Sequence, residues 1–265
     1  MSERYAVIGH PVAHSKSPLI HAEFARATGQ DIEYRRIEVP RDGFRRAVEE
    51  FRAAGGKGLN VTLPFKHEAF LYCSRASERA RAAEAVNTLA FQEPVFGDNT
   101  DGVGLVRDLG GNLHFDLRSS RALLMGAGGA AQGVIGALRE AGVAQLVIVN
   151  RTVAKAQALA ARFPGTRGCG YDDLRGESFG LIINATSASL LDAAPPLPPS
   201  AFGRACLAYD MVYGRDTPFL AAARAAGARA CDGLGMLVEQ AAESFFVWRG
   251  VRPDTAPVLR KLRGG

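Results

Sequence analysis

Paired cysteines are missing from this chain. Its four, Cys73, Cys169, Cys206 and Cys231, stand far apart with no Cys-x-x-Cys pair and no adjacent His. That spacing excludes a disulfide framework and a zinc set, and it fits free thiols in a reducing compartment. A long apolar run is missing too: the longest stretch, Ala122 to Leu138, is broken by Gly126, Gly128, Gly129, Gln132, Gly133 and Gly136, so no membrane span is expected. Met1-Ser2-Glu3-Arg4 runs directly into the strand-like Tyr5–Ile8, which leaves no room for a signal peptide, and a cytoplasmic location is expected. There is no acidic or basic tail and no low-complexity tract, so disorder is not expected. The net charge is +5, but the Arg residues are scattered over Ala-rich segments and form no aromatic-interleaved stripe, which argues against nucleic acid. The same positive excess raises the local concentration of an anionic small molecule.

What is present reads as an α/β chain. Strand-like runs at Tyr5–Ile8, Leu59–Val61, Leu123–Met125, Leu146–Val149, Leu181–Ile183 and Leu207–Tyr209 alternate with helical segments such as Pro18–Thr28, Phe44–Ala54 and Val153–Phe163. Such alternation predicts mostly parallel sheets covered by helices, and 265 residues suffice for two domains. The turn-like Gly97-Asp98-Asn99-Thr100 and a helix capped by Asp101 and running through Leu109 put the boundary near Asp101. A last long helical stretch runs from Met236 to Arg249.

Arg121–Met125 followed by Gly126-Ala127-Gly128-Gly129-Ala130-Ala131 matches G-x-G-x-x-G/A between a strand and a helix. Glycine at 126 and 128 permits the tight turn and a close backbone approach to a pyrophosphate, whose charge then meets the positive end of the helix. The next strand ends at Asn150-Arg151-Thr152-Val153-Ala154-Lys155, where an NAD enzyme would carry an acid for the ribose hydroxyls. Arg151 and Lys155 instead suit a 2′-phosphate, so NADP is the expected cofactor.

Polar loops follow the strands of the N-terminal half. Ser17 reads as a helix N-cap with Pro18 at the first helical position, and its hydroxyl can also donate to a substrate carboxylate beside Ser15; spacing alone supports both readings. Asn60-Val61-Thr62-Leu63-Pro64-Phe65-Lys66 presents Lys66 beyond a stiffened connection. Asn87-Thr88 and Asp98–Asp101 add two more polar loops. Lys66 with Asp101 is then a candidate acid/base pair, against the plainer readings of a solvated lysine and a helix cap. No Ser-His-Asp arrangement or metal-ligand cluster competes with it, and no metal site is expected.

These segments, together with Ala85–Thr88, Asn184-Ala185-Thr186-Ser187, Asp210-Met211-Val212-Tyr213 and Gly233–Gln240, closely resemble the bacterial shikimate dehydrogenases over nearly the whole chain. The resemblance implies NADPH-dependent reduction of 3-dehydroshikimate to shikimate, a step of aromatic amino acid biosynthesis. It implies that Ser15, Ser17, Thr62, Asn87, Asp101, Tyr213 and Gln240 bind substrate, with Lys66 exchanging the proton. Gly126, Ala127, Gly128, Gly129 and Ala130, Asn150 to Lys155, Met211 and Gly233 would hold NADP. The implied fold is an N-terminal α/β substrate domain, 1–101, with a mostly parallel sheet, and a C-terminal Rossmann-type NADP domain, 102–235. Residues 236–265 would pack back onto the first domain. A monomer or a homodimer is compatible with it.

Two positions depart from the family pattern. Ser189 stands where relatives carry a glycine, and Gly214 replaces a proline, which predicts a looser segment after Tyr213. A quinate/shikimate relative using either cofactor, and a non-catalytic NADPH sensor on the same fold, are the rival readings.

Overall fold

The computed structural model describes residues 2–186 and 195–264, so Ser187 and Ser189 lie outside the described residues. Two compact units divide the chain: Met1–Gly104 with Leu237–Gly265, and Leu105–Met236.

The first unit runs β1 (Glu3–Gly9), α1 (Ser17–Thr28), β2 (Ile32–Glu38), α2 (Phe44–Ala53), β3 (Gly56–Val61), α3 (Lys66–Tyr72), β4 (Arg75–Ala76), α4 (Glu78–Ala83), β5 (Thr88–Ala90) and β6 (Phe96–Asp98), and enters α5 (Asp101–Arg107). The second runs β7 (Arg121–Met125), α6 (Gly129–Glu140), β8 (Gln145–Val149), α7 (Val153–Ala161), β9 (Thr166–Cys169), β10 (Phe179–Asn184), β11 (Phe202–Asp210), α8 (Pro218–Ala225) and β12 (Arg229–Asp232). The chain returns to the first unit within α9 (Leu234–Arg249) and ends in α10 (Ala256–Arg263).

In the first unit the strand order is β2-β1-β3-β5-β6-β4. β1 lies parallel to β2 and β3, because helices make those crossovers, whereas β5 is antiparallel to β3 and β6. Residues alternate between faces along β1. Ala6 and Ile8 join Phe44, Val48, Phe51, Leu59 and Phe65 in one apolar cluster. Tyr5 stacks on Trp248 of α9, with ring centroids 4.7 Å apart. Gly58 makes room for that indole, since a Cβ there would lie 2.5 Å from Trp248 Nε1, which donates to the Leu89 carbonyl at 2.9 Å.

His21 of α1 is fully buried in this aromatic layer, stacked on Tyr34 at 4.3 Å and flanked by Phe24, Phe245 and Trp248. Burial drives its imidazole pKa down from 6.5 to about 3, against the opposing effect of a hydrogen bond with Asn60.

The second unit has one all-parallel sheet, β12-β11-β10-β7-β8-β9. Read from β9 inward this is the 3-2-1-4-5-6 order of a doubly wound dinucleotide fold. Its four central strands are mostly apolar on both faces, as a doubly covered parallel sheet requires. Ala122 and Leu124 face the cluster of Ile135, Leu146, Ile148, Ile183 and Tyr209, and Leu123 and Met125 face that of Val147, Val149, Ile182 and Phe219.

Two helix starts differ from expectation. Lys16 holds the N-cap of α1, without a side-chain cap, so Ser17 is the first helical residue and is not the cap. The Ser17 N–H goes instead to Ser15 Oγ at 3.3 Å. Asp101 is the first residue of α5; the helix ends at Arg107 and continues as a π-helical turn over Asp108–Asn112 instead of reaching Leu109 as α-helix. Among the described residues no helix is long and apolar enough to cross a membrane.

Two stability tests follow from this packing. Gly168 of β9 lies against α7 so closely that a Cβ would sit 2.3 Å from the Ala156 carbonyl oxygen. Gly168→Ala is expected to lower unfolding stability by about 1–3 kcal/mol through overpacking, seen as a lower denaturant midpoint with an unchanged slope. For His21, the unfolded chain takes up a proton as pH falls below 6.5, and the native state does not until about pH 3. The stability from its neutral burial is therefore present above pH 6.5 and lost at about 1.4 kcal/mol per pH unit on acidification toward 3. Urea titrations of His21→Phe between pH 7 and 4 should show a flatter decline than wild type.

Candidate functional site

The candidate site in the first unit is built on loops at one end of its sheet. Gly9 closes β1, and a Cβ there would lie 2.4 Å from Thr62 Cγ2, so glycine lets the loops after β1 and β3 run side by side. The Thr62 N–H donates to the Ile8 carbonyl at 3.0 Å, and the turn back to Phe65 starts α3 with Lys66 as its first residue. Asn87 enters the same region because β5 runs antiparallel to β3: its carbonyl accepts from Val61 N–H at 2.8 Å and its own N–H reaches the Asp98 carbonyl at 3.0 Å.

Lys66 Nζ donates to Asp101 Oδ2 at 2.5 Å, with side-chain exposures of 16% and 7%. The carboxylate therefore does not cap the helix. Asn99 Oδ1 takes the Asp101 backbone N–H at 3.2 Å, and Asp101 Oδ1 accepts from Asn87 Nδ2 at 2.8 Å. Asn87 Oδ1 receives the Thr100 N–H at 2.9 Å, and Gln240 Oε1 of α9 lies 3.3 Å from Asn87 Nδ2. Lys66, Asn87, Asp101 and Gln240 thus come together in one network.

Ser15 and Ser17 join it through residues not assigned from the sequence. Ser15 Oγ donates to Ser17 Oγ at 3.1 Å, and Ser17 hydrogen-bonds Tyr34. The Tyr34 hydroxyl donates to Asn60 Oδ1 at 2.7 Å, and Asn60 Nδ2 reaches the Asn87 carbonyl, Thr88 Oγ1 and Ser244 Oγ within 3.2 Å. Burial pushes the Tyr34 phenol well above its ordinary pKa, with Ser17 acting in the other direction. Thr62 borders this region, and its hydroxyl has no hydrogen-bond partner among the described residues.

A second set of charges holds the Asp98–Asp101 loop from behind. Arg79 donates through Nε and Nη2 to both Asp98 oxygens at 2.8 and 2.5 Å and also pairs with Glu243 at 3.1 Å. Burial works against the Arg79 charge, but the hydrogen bonds and charges of Asp98 and Glu243 outweigh it and raise its pKa. Ser244 had one readable sign, its i,i+4 spacing from Gln240; nothing in the sequence marks Arg79, Tyr34 or His21.

The second unit carries the dinucleotide turn. Gly126 adopts φ 108°, a conformation suited to glycine, and lies against the Ala185 carbonyl. Gly128 is the N-cap of α6 and supplies no capping side chain, so Gly129 and Ala130 bring unpaired N–H groups to a helix start. A Cβ on Gly128 or Gly129 would touch no other residue, while Ala131 is buried under the helix. The donors, the dipole and the close backbone approach fit a pyrophosphate. After β8, Asn150 Nδ2 donates to the Thr152 carbonyl at 3.0 Å, and Arg151 through Lys155 are exposed, with neither Arg151 nor Lys155 in an ion pair among the described residues. Two side chains able to meet a phosphate are thus available.

Met211, Tyr213 and Gly233 also lie in this unit. Met211 N–H donates to the Asn184 carbonyl at 3.0 Å, and a Cβ on Gly233 would lie 2.4 Å from the Met211 carbonyl oxygen, which requires glycine there. The turn after Tyr213 is tied down: Gly214 adopts φ 74° and donates its N–H to Asp232 at 2.9 Å. A proline could supply neither the φ nor the donor.

Three family models match this chain in order: the shikimate dehydrogenase substrate binding domain at residues 7–89, shikimate / quinate 5-dehydrogenase at 109–191, and the shikimate 5′-dehydrogenase C-terminal domain at 233–263. The shikimate dehydrogenase (NADP(+)) of Aromatoleum aromaticum is 58% identical over 270 aligned positions, covering 98% of this chain and 97% of that protein. The crystal structure of an Ael1 enzyme from Pseudomonas putida is 51% identical with a TM-score of 0.94, covering 98% of each chain. Shikimate 5-dehydrogenase from Thermus thermophilus, in complex with NADP(H) and shikimate, is 36% identical with a TM-score of 0.89, covering 99% of each chain. The glycine turn, the polar loops around Lys66 and Asp101, and these full-length matches place the chain in the shikimate dehydrogenase family.

Proposed function

We propose that this chain catalyses the reversible reduction of 3-dehydroshikimate to shikimate with NADPH, in aromatic amino acid biosynthesis. The observation that carries the reading is the Lys66–Asp101 pair, 2.5 Å apart and nearly buried, next to the amide of Asn87. NADPH supplies the hydride when bound. Gly126 to Ala130 would hold its pyrophosphate, Asn150 to Lys155 its 2′-phosphate end, and Met211 and Gly233 the remainder of the cofactor.

Negative charge grows on the substrate carbonyl oxygen as its carbon is reduced. One Nζ–H of Lys66 goes to Asp101, leaving two others free to point at that oxygen. The ammonium stabilises the developing charge and passes one proton to the oxygen. In the reverse direction the neutral amine takes the proton from the hydroxyl. Asp101 orients the lysine, and with Asn87, Thr62, Gln240 and Tyr213 binds the ring hydroxyls, while Ser15 and Ser17 receive the carboxylate. A cytoplasmic location is part of the proposal, supported by four free cysteines.

Initial rates of NADP reduction with shikimate test this reading, with quinate and NAD as crossed comparisons. Shikimate with NADP should dominate, and Lys66→Ala should lower kcat by roughly 10²–10⁴-fold with little change in NADP affinity. An undiminished kcat in the folded variant would exclude Lys66 from proton transfer, equal rates with quinate or NAD would favour a broader dehydrogenase, and NADPH binding without turnover would favour a sensor.

A further inference from the structure

Ser15 is held in place by a residue outside the site already described. Arg36 is exposed on β2, the edge strand of the first sheet, and its guanidinium donates through both Nε, at 2.9 Å, and Nη2, at 2.5 Å, to the Ser15 backbone carbonyl. That carbonyl belongs to neither sheet nor helix. The first carbonyl taken into the ladder of α1 is the next one, Lys16, which accepts from Ile20 N–H at 3.1 Å. On its other side, the Ser15 N–H donates to the Val12 carbonyl at 3.0 Å, and the Ser15 hydroxyl bonds the Ser17 backbone N–H and hydroxyl. Ser15 is therefore fixed at its N–H, its hydroxyl and its carbonyl, and Arg36 alone comes from a different strand.

We infer that Arg36 is a positioning residue for the substrate carboxylate: its two-donor grip on the Ser15 carbonyl aims the Ser15 and Ser17 hydroxyls at a carboxylate ligand. The inference rests on the reading that these serines receive the carboxylate of shikimate. An exposed guanidinium contributes little to folding, and without it the Ser15 carbonyl turns to water, so its loss releases the loop while the core stays intact. The grip needs a planar fork, which lysine lacks, so charge and geometry are separable by substitution. The effect belongs to a charged ligand group, because charge-assisted hydrogen bonds depend most on the aim of their donors.

The experiment compares wild type, Arg36→Lys and Arg36→Met on shikimate and on its neutral methyl ester, used as substrate or competitive inhibitor, with NADP saturating. Both variants should raise KM for shikimate about tenfold, the loss of one such charged contact. Their kcat should stay within about threefold of wild type and the NADP KM should not move, and on the ester the gap should shrink below about threefold. An unchanged KM, an equal penalty on acid and ester, or full recovery with Arg36→Lys would overturn the inference. A wild-type protein that does not turn over shikimate would instead remove the functional reading on which it rests.

Discussion

An ion pair carried almost out of water sets the terms for the first unit. Lys66 and Asp101 keep 16% and 7% of their side-chain exposure. Desolvating two charges costs several kcal/mol each, and their attraction offsets that only when geometry is good and the remaining donors and acceptors find partners. The Asp101 side of the pair meets this condition. Asn87 satisfies the second Asp101 oxygen, Asn99 takes the Asp101 N–H, and the Lys66 carbonyl accepts from Val86 N–H at 2.8 Å. Behind them the Arg79 fork fixes Asp98, whose Oδ1 also receives the Asn99 N–H at 2.8 Å. A pair of this kind is poor evidence for stability, since apolar residues of similar volume often hold a fold as well.

The second unit presents its donors differently, through backbone, while two of its own carboxylates, Asp108 and Asp210, are fully buried. Gly129 and Ala130 bring N–H groups to the start of α6, and Gly233 lets the Met211 carbonyl close in. Asp210 stabilises that last segment by accepting from Thr217 Oγ1 at 2.7 Å and from Val212 N–H at 3.1 Å. Asp108, also fully buried, accepts from Tyr209 at 2.6 Å, and Gly235 leaves room for its carboxylate, which a Cβ would overlap at 1.9 Å. At Gly168, Gly233 and Gly235 glycine stands where another group passes close by.

That contrast explains what the sequence made legible. Strands, helices and the dinucleotide turn depend on local period and on φ, both written within about ten residues of chain. The α/β alternation and the glycine turn were readable for that reason, and so was Lys66 beyond its proline. The two capping assignments failed for a shared reason: at each helix start a neighbour two residues earlier, Ser15 or Asn99, takes the N–H, which leaves Ser17 and Asp101 free to face other partners. The residues behind the site were not readable because their partners are remote. Asn60 meets Ser244 across 184 positions, and Arg79 meets Glu243 across 164. No spacing rule reaches that far.

The direction of the hydrogen bonds can nonetheless be worked out from one buried carbonyl. The Asn87 carbonyl has no proton to give, so the Asn60 atom facing it must be the amide nitrogen. The amide oxygen then faces Tyr34 and His21, and both must donate to it, which puts the His21 proton on Nε2. Nδ1 is left as a buried nitrogen without a partner, and an imidazole kept neutral tolerates this better than a charged one would. Having given its only proton to Asn60, Tyr34 can only accept from Ser17. Ser17 in turn accepts from Ser15 and holds a single proton, which Tyr34 shares with any acceptor brought into the pocket. As ordered here, the two serine hydroxyls have that one proton to offer an acceptor.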